Sequence, residues 1–529
     1  MPRVSRVPLR MAAVVLCLSL MTAYSAAANE AVKMLSRYFE LLATGNFESA
    51  AGMWTEAALE RSSRFDIQYA GVPLKVDAAS PIVLRLEVMR HYLEPPVKHL
   101  TVLPDSNVVQ LTYSALAEGK VVEHTYYAQF DGAYYWLIYP QDYFCRDWKV
   151  FESRYFRVHG HPRVERFLNR AVLEEADQFV RRLADSLAMP QDDLKAIEAR
   201  KIEYFYCDSD ETVGQITGER GKGSVDPASN DIISSFFPNY YEVVRLLVNA
   251  VYKQVPPATH PLLGRGLAVC YGGRWGKTPA ALFGLGSFLL NENIVEIDSL
   301  LTASGFESHA ASDIAYPVAG LFTTYLLRQS NPRSFKHAYL ALSGSREEVD
   351  TLGDSAVRRE ILAAVKQSSW TDLMQDFESY VKSHAAADAT VQPGSAGDTR
   401  TIVNAGAFAI SDNRDWLVFE FAANAGEPLS GNLLFGPDVR LSGAVSAMFE
   451  EQYQDRQGFD GYRYGIRFDA NESGLYDYAA NLLLEKYIVG ISPAGEYLSP
   501  GRDKITVRFR KSLFGAILPT EKTCKLIPL

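Results

Sequence analysis

No C-x-x-C pair occurs in the sequence, and only five cysteines occur in its 529 residues. Thiolate zinc sites take their ligands in such close pairs, so a cysteine-based metal centre is not expected. No run or stripe of lysine and arginine is present either. Acidic residues outnumber basic ones, 63 to 53, which argues against a nucleic acid as partner. No G-x-S-x-G is found, so the nucleophile turn of an α/β-hydrolase is absent; a Ser–His–Asp arrangement, which is defined by geometry, stays open. The stretch TGERGKGS (217–224) has the composition of a phosphate loop but not the G-x-x-x-x-G-K-[ST] spacing, and no long helix follows it directly. It reads as a glycine-rich loop at a sheet edge. Beyond residue 28 no apolar stretch reaches the length of a membrane span.

What is present begins with a leader. Arg3, Arg6 and Arg10 form a basic start, MAAVVLCLSLMTA is a short apolar core, and YSAAANE supplies small residues at A-x-A spacing. This is the pattern of a secretory signal peptide over residues 1–28, with cleavage expected at or close to Ala28. The apolar core is too short for a comfortable bilayer anchor. Leu16 precedes Cys17, where lipidation needs a small residue. A periplasmic or secreted protein is expected, with no transmembrane segment in the mature chain. Removing residues 1–28 takes away three arginines and no acid, so the formal charge moves from −10 to −13.

Apolar residues make up 47% of the chain and charged residues 22%, a balance that supports buried cores, and the length suits roughly two to four domains. Three stretches differ in periodicity, and together they predict an α+β multidomain protein. In the first, residues 30–148, Val32, Leu35, Phe39 and Leu42 keep helical spacing. Gly45 breaks the pattern, and Phe47, Ala50, Ala51 and Trp54 resume it. After a further helix near SPIVLRLEVMRHYL the period changes to two. Strands are expected through KHLTVLPDSNVVQLTYSALAEGKVVEHTYYAQFDGAYYWLIYP, with turns at PDSN, AEGK and FDGA. Helices followed by a curved antiparallel meander resemble the NTF2-like (SnoaL-like) α+β cone. The resemblance implies either an enzyme or, as in many members, a binding or scaffold domain. His91, His99 and His124 are expected at a surface or an interface.

The second stretch, residues 149–383, is mainly helical with a small sheet. SRYFRVHG and KIEYFYCDS read as strands. A long amphipathic helix is expected to open at Pro162, with Val164, Phe167, Leu168, Val172, Phe179, Val180 and Leu183 on one face. Helices are then expected at 239–253, 261–271, 279–291, 313–329 and 333–343. Residues 384–399 are rich in small residues and read as a linker. The third stretch, 400–529, turns to strands at DWLVFEFAA, YRYGIRFDA, KYIVGIS and DKITVRFRKS.

One helix carries the functional question. YYEVVR places Tyr241, Glu242 and Arg245 where an H-E-x-x-H helix carries histidine, glutamate and histidine. Downstream, PLLGRGLAVCYGG is similar in frame to the W-L-x-E-G-L-A helix that follows in peptidases, with Arg265 at the position of the glutamate. In order and frame, this segment resembles the peptidase MA clan, the gluzincin-like metallopeptidases, over about 200 residues. Tyr316 falls at a tyrosine of the clan's downstream helices. The resemblance implies a zinc site, and the sequence departs from it at every ligand. Guanidinium has no lone pair to give a metal. A degenerate site is therefore expected, with no zinc and no cofactor. Glu242 should face Arg245 and Arg265, within salt-bridge distance of at least one, and be held as an ion pair, not poised as a base.

If a disulfide forms, Cys207 and Cys270 are the pair expected, with four free thiols the other outcome. HGH (159–161) reads as a surface turn, because Pro162 ends the strand. The tyrosine-rich stretches read as strand and helix core. The resulting expectation is a non-catalytic peptidase-like protein that binds a peptide, a cell-envelope component or a partner protein. Its rivals are an active metallopeptidase with unusual ligands, an enzyme or ligand binder using the NTF2-like cone, and a purely structural envelope protein.

Overall fold

The computed structural model describes residues 29–67, 74–77, 97–103, 107–117, 120–253, 258–275, 277–291, 293–310 and 314–389. Of the C-terminal stretch it describes 400–404, 407–413, 416–422, 431–435, 464–468, 472–477, 482–488, 498–500, 504–510 and 524–528. The expected leader over residues 1–28, His91, the helix expected near 80–93 and residues 390–399 lie outside the described residues. The chain is mixed α/β with several small sheets and no barrel among the described residues. It divides into two compact units. One comprises Met1–Arg64, Gly71–Asp147 and Asp226–Asn230; the other comprises Phe65–Ala70, Trp148–Val225 and Asp231–Leu529.

In the first unit a helix over 29–43 ends where Gly45 takes φ +72°, a conformation that disfavours side chains. Asn46 then caps the short helix Phe47–Ala51 through the Ser49 amide. Four strands, β1 (Val97–Val102), β2 (Val108–Ala117), β3 (Lys120–Phe130) and β4 (Tyr135–Ile138), form an antiparallel meander in sequence order. Alternation puts Val109, Leu111 and Tyr113 of β2 on one face, where they bury against Leu35, Tyr38, Phe39 and Leu42 of the helix. His124 of β3 is half-buried beside the Tyr113 ring, 5.3 Å between centroids, and burial pushes its pKa down.

The second unit opens with a five-stranded sheet: β5 (Lys149–Glu152), β6 (Phe156–Gly160), β7 (Ile202–Tyr206), β8 (Gly223–Val225) and β9 (Ile232–Ser234), in the order β5-β6-β7-β9-β8. β6, β7 and β9 run parallel, and β5 and β8 are antiparallel edges. The glycine-rich loop 217–222 leads into edge strand β8, where it was expected. The long helix does not open at Pro162. Residues 165–167 form a 3₁₀ turn and the helix spans Arg170–Ser186. Asn169 is the physical reason: its side chain accepts from the Val172 amide at 3.2 Å, a capping bond that proline cannot offer.

Beyond β9 come the helices Tyr240–Tyr252, Pro261–Gly272, Pro279–Asn291, Ala303–Ala310, Ala315–Gln329 and Pro332–Ala341. A two-stranded ribbon, β10 (Ala258–Thr259) with β11 (Ser343–Gly344), joins the ends of this array. The last long helix, Trp370–Ala389, runs six residues into the stretch read as a linker. Its alanine-rich sequence explains why, since alanine is the strongest helix former.

The C-terminal strands form two antiparallel five-stranded sheets. One is built from β12 (Arg400–Asn404), β13 (Phe408–Asn413), β14 (Trp416–Ala422), β19 (Leu498–Pro500) and β20 (Lys504–Arg510). The other is built from β15 (Gly431–Phe435), β16 (Tyr464–Phe468), β17 (Glu472–Asp477), β18 (Leu482–Ile488) and β21 (Cys524–Pro528). Leu417, Phe419 and Phe421 alternate into a core opposite Phe509, Val507 and Ile505. Phe421 stacks on Phe468 of the other sheet, 3.6 Å between centroids, a face-to-face contact of the sandwich type.

Candidate functional site

The site is set up by the helix Tyr240–Tyr252. Asn239 caps it by accepting from the Glu242 amide, and Val243, Val244, Leu246, Leu247 and Ala250 bury one broad face. Tyr204 of β7 ties the cap to the sheet, its hydroxyl accepting from the Asn239 amide at 3.1 Å. Two glycines bring the neighbouring helices close. A Cβ on Gly266 would stand 2.7 Å from the Ala319 carbonyl, and one on Gly272 would stand 2.5 Å from the Tyr240 carbonyl. The helix Pro261–Gly272 therefore packs directly on Ala315–Gln329 and on the start of Tyr240–Tyr252. These approaches place Arg265, Arg274, Tyr316 and Tyr241 around one point.

Glu242 is 4% exposed. Its Oε2 accepts from Arg245 Nη1 at 2.7 Å and from the Val225 amide of edge strand β8 at 3.0 Å. Glu242 thus closes an outward-facing amide of the edge strand as well as pairing with arginine. The carboxylate beside Arg245 raises the arginine's pKa further above its usual value.

Of the two arginines expected near Glu242, Arg245 makes the pair and Arg265 does not. It takes Glu307 in a two-pronged pair, Nη2 to Oε1 at 2.6 Å and Nη1 to Oε2 at 3.3 Å, and Nη1 also donates to the Tyr316 hydroxyl at 2.9 Å. The physical reason is geometric. A carboxylate on the next helix meets the planar guanidinium edge-on, whereas Glu242 is committed to Arg245 and β8. Tyr316 is the hub: its ring lies 6.4 Å from Tyr241, 5.7 Å from Phe306 and 3.4 Å from the Arg274 guanidinium. Arg274 also stands 5.5 Å from the Tyr241 ring and 4.1 Å from Trp275. Burial pushes the Tyr241 phenol up, with the Arg245 charge opposing. Sequence reading brought Tyr241, Glu242, Arg245, Arg265 and Tyr316 to one region. It missed Val225, Arg274 and Glu307, and only the unusual RWGK stretch (274–277) carried a signal for the second of these.

Zinc does not fit this donor set. Of the three positions where the resemblance would put zinc ligands, two carry guanidinium groups and the third a phenol. Among the described residues no group of three or more His, Cys, Asp or Glu is placed to hold a metal ion.

Cys207 and Cys270 are not joined in a disulfide, which is the other of the two outcomes expected for them. Cys207 is buried at the end of β7 with its thiol on the Phe205 carbonyl, while Cys270 accepts from Thr324 Oγ1 on the adjacent helix at 3.1 Å. Each sulfur has its own separate partner. The HGH histidines are partly covered and acid-paired: His159 Nε2 lies 2.6 Å from Glu203, and His161 Nδ1 lies 3.7 Å from Asp208.

The first unit contains two further features. Asp77 is buried and accepts from the Tyr38 and Tyr126 hydroxyls, each at 2.6 Å; burial and then the Asp77 charge raise both phenol pKa values. Separately, a groove of about 1060 Å³ is lined by residues that include Met34, Met53, Phe130, Tyr134 and Trp136. Asp131 accepts from the Ala133 and Tyr134 amides and from Trp136 Nε1, which fixes the hairpin tip that bears the 69% exposed Tyr134.

No family model matches the chain, and no curated protein or solved structure matches it either. Among the described residues no helix is long and apolar enough to cross a membrane.

Proposed function

We propose that the protein is a secreted or periplasmic, non-catalytic relative of the gluzincin-like metallopeptidases. In this reading the surface around Tyr241 and Tyr316 binds a peptide, either free or presented by an envelope component or partner protein. The observation that carries the reading is the Glu242 carboxylate, held by Arg245 at 2.7 Å and by the β8 amide at 3.0 Å. A general base needs a carboxylate free to take a proton from water. This one is buried and paired, and guanidinium groups stand where a metal would lower the pKa of that water. The test is to titrate dye-labelled peptide mixtures with the mature chain and recover the bound peptides by mass spectrometry. Saturable binding with every peptide intact is expected. Recovery of cleaved peptides, with cleavage stopped by a chelator, would overturn the reading.

The groove beside Trp136 favours a second reading, in which the first unit binds a small apolar ligand. Its aromatic and methionine lining is of the adaptable, largely apolar kind found in ligand sites. Quenching of Trp136 fluorescence by such a ligand, lost in Trp136→Phe, is the measurement that distinguishes it.

A further inference from the structure

We infer that the Tyr241–Arg245 face carries a carboxylate-binding subsite, which takes a free peptide C-terminus or an acidic side chain. The inference rests on the peptide-binding reading above and names the ligand group that the site selects.

The donors are two. Tyr241 is 7% exposed, and its hydroxyl has no hydrogen-bond partner among the described residues. The hydroxyl is therefore a donor left for a ligand. Arg245 spends Nη1 on Glu242, and its other N–H groups meet no acceptor among the described residues. Its side chain is 43% exposed, so these groups are reachable from solvent. Tyr241 and Arg245 lie four residues apart and so project from the same side of one helix.

The surroundings favour an anion over a neutral group. Arg265 is answered by Glu307 and Arg245 by Glu242, and what remains on this face, the Tyr241 hydroxyl and the further Arg245 N–H groups, consists of donors. A carboxylate accepts the phenol O–H on one oxygen and arginine N–H groups on the other, a charge-assisted pairing with fixed geometry. A cation would meet donors only, since Glu242 and Glu307 are already spent on arginine. Arg265 acts here as a positioning residue, because its bond to the Tyr316 hydroxyl holds the ring against which Tyr241 and Arg274 pack.

The test uses the mature chain and four fluorescent peptides of one neutral sequence. They carry a free C-terminus, an amidated C-terminus, an amidated C-terminus with one internal glutamate, or the same with glutamine. Binding is read by anisotropy at two salt concentrations. The subsite predicts at least tenfold tighter binding for one carboxylate-bearing peptide than for its neutral counterpart, and a difference that shrinks with salt. Which pair shows the difference identifies the source of the carboxylate. Tyr241→Phe should remove most of the discrimination without disturbing the fold, since it deletes only a hydroxyl. Equal binding of all four peptides would overturn the subsite and leave the peptide-binding reading standing; binding of none would overturn both.

Discussion

Arg245 and Glu242 form an ion pair at 2.7 Å in which the acid is buried and the arginine half exposed. The asymmetry fixes what removal of either partner does. Glu242→Gln retains an oxygen for the Val225 amide and loses only the charge pair, which solvent partly screens on the arginine side. A loss of about 1–2 kcal/mol in urea unfolding is expected. Arg245→Ala should cost more, about 2–4 kcal/mol, because it leaves a buried carboxylate with one backbone donor. The reverse ranking would contradict the pairing.

Gly266 and Gly272 set the distances between the helices that carry the site. Alanine at either position puts a methyl group within 3 Å of a backbone carbonyl. Gly266→Ala is expected to cost about 1–3 kcal/mol of stability, as overpacking does. It should also shift Tyr316 relative to Tyr241. Thermal unfolding together with near-UV circular dichroism of the tyrosine cluster checks both effects.

The elements that carry this site were legible because their signals are local. Val243, Leu246, Leu247 and Ala250 keep a helical period after the Asn239 cap, the in-frame GRGLA stretch put Arg265 in the same region as Tyr241, and the order of the downstream helices added Tyr316. The pairing of Arg265 with Glu307 was not legible. It joins residues 42 apart, and only the packing of two helices decides which carboxylate meets a guanidinium. The helix expected at Pro162 failed for a local reason, since the capping side chain of Asn169 outweighs a proline at the first turn. In the C-terminal stretch the strands with strong alternation, such as Leu417–Phe419–Phe421, could be read. Short strands such as Leu498–Pro500 depend on a partner strand for their existence and left no mark in the sequence.

His260 gives a pH dependence. It is fully buried at the start of the helix Pro261–Gly272, and burial lowers its pKa from 6.5 to about 4. The folded state therefore keeps the neutral ring while the unfolded chain takes up a proton. Its contribution to stability is fully present above pH 6.5 and is lost as the pH falls from 6.5 towards 4, by roughly 3 kcal/mol in total. In His260→Gln that part of the slope should vanish. An unchanged slope between pH 6.5 and 4 would show that His260 is not the group responsible.

The thiols make a simpler case. Burial pushes Cys270 up to about 11 and Cys524 up to about 12, and it raises Cys207 as well. A thiol reacts as its thiolate. The native chain from residue 29 onward, which holds four cysteines, is expected to react slowly with a disulfide reagent at pH 7.5, and on denaturation it should release four equivalents without prior reduction. Two equivalents would indicate a disulfide.

The central claim is that Glu242 is a paired structural carboxylate at a site that does not turn over peptides. The most direct measurement incubates the wild-type chain and Glu242→Gln with excess zinc and a mixed peptide substrate, then follows cleavage by mass spectrometry over hours. The account predicts no chelator-sensitive cleavage by either protein. Zinc-dependent cleavage by the wild type that disappears in Glu242→Gln would contradict it.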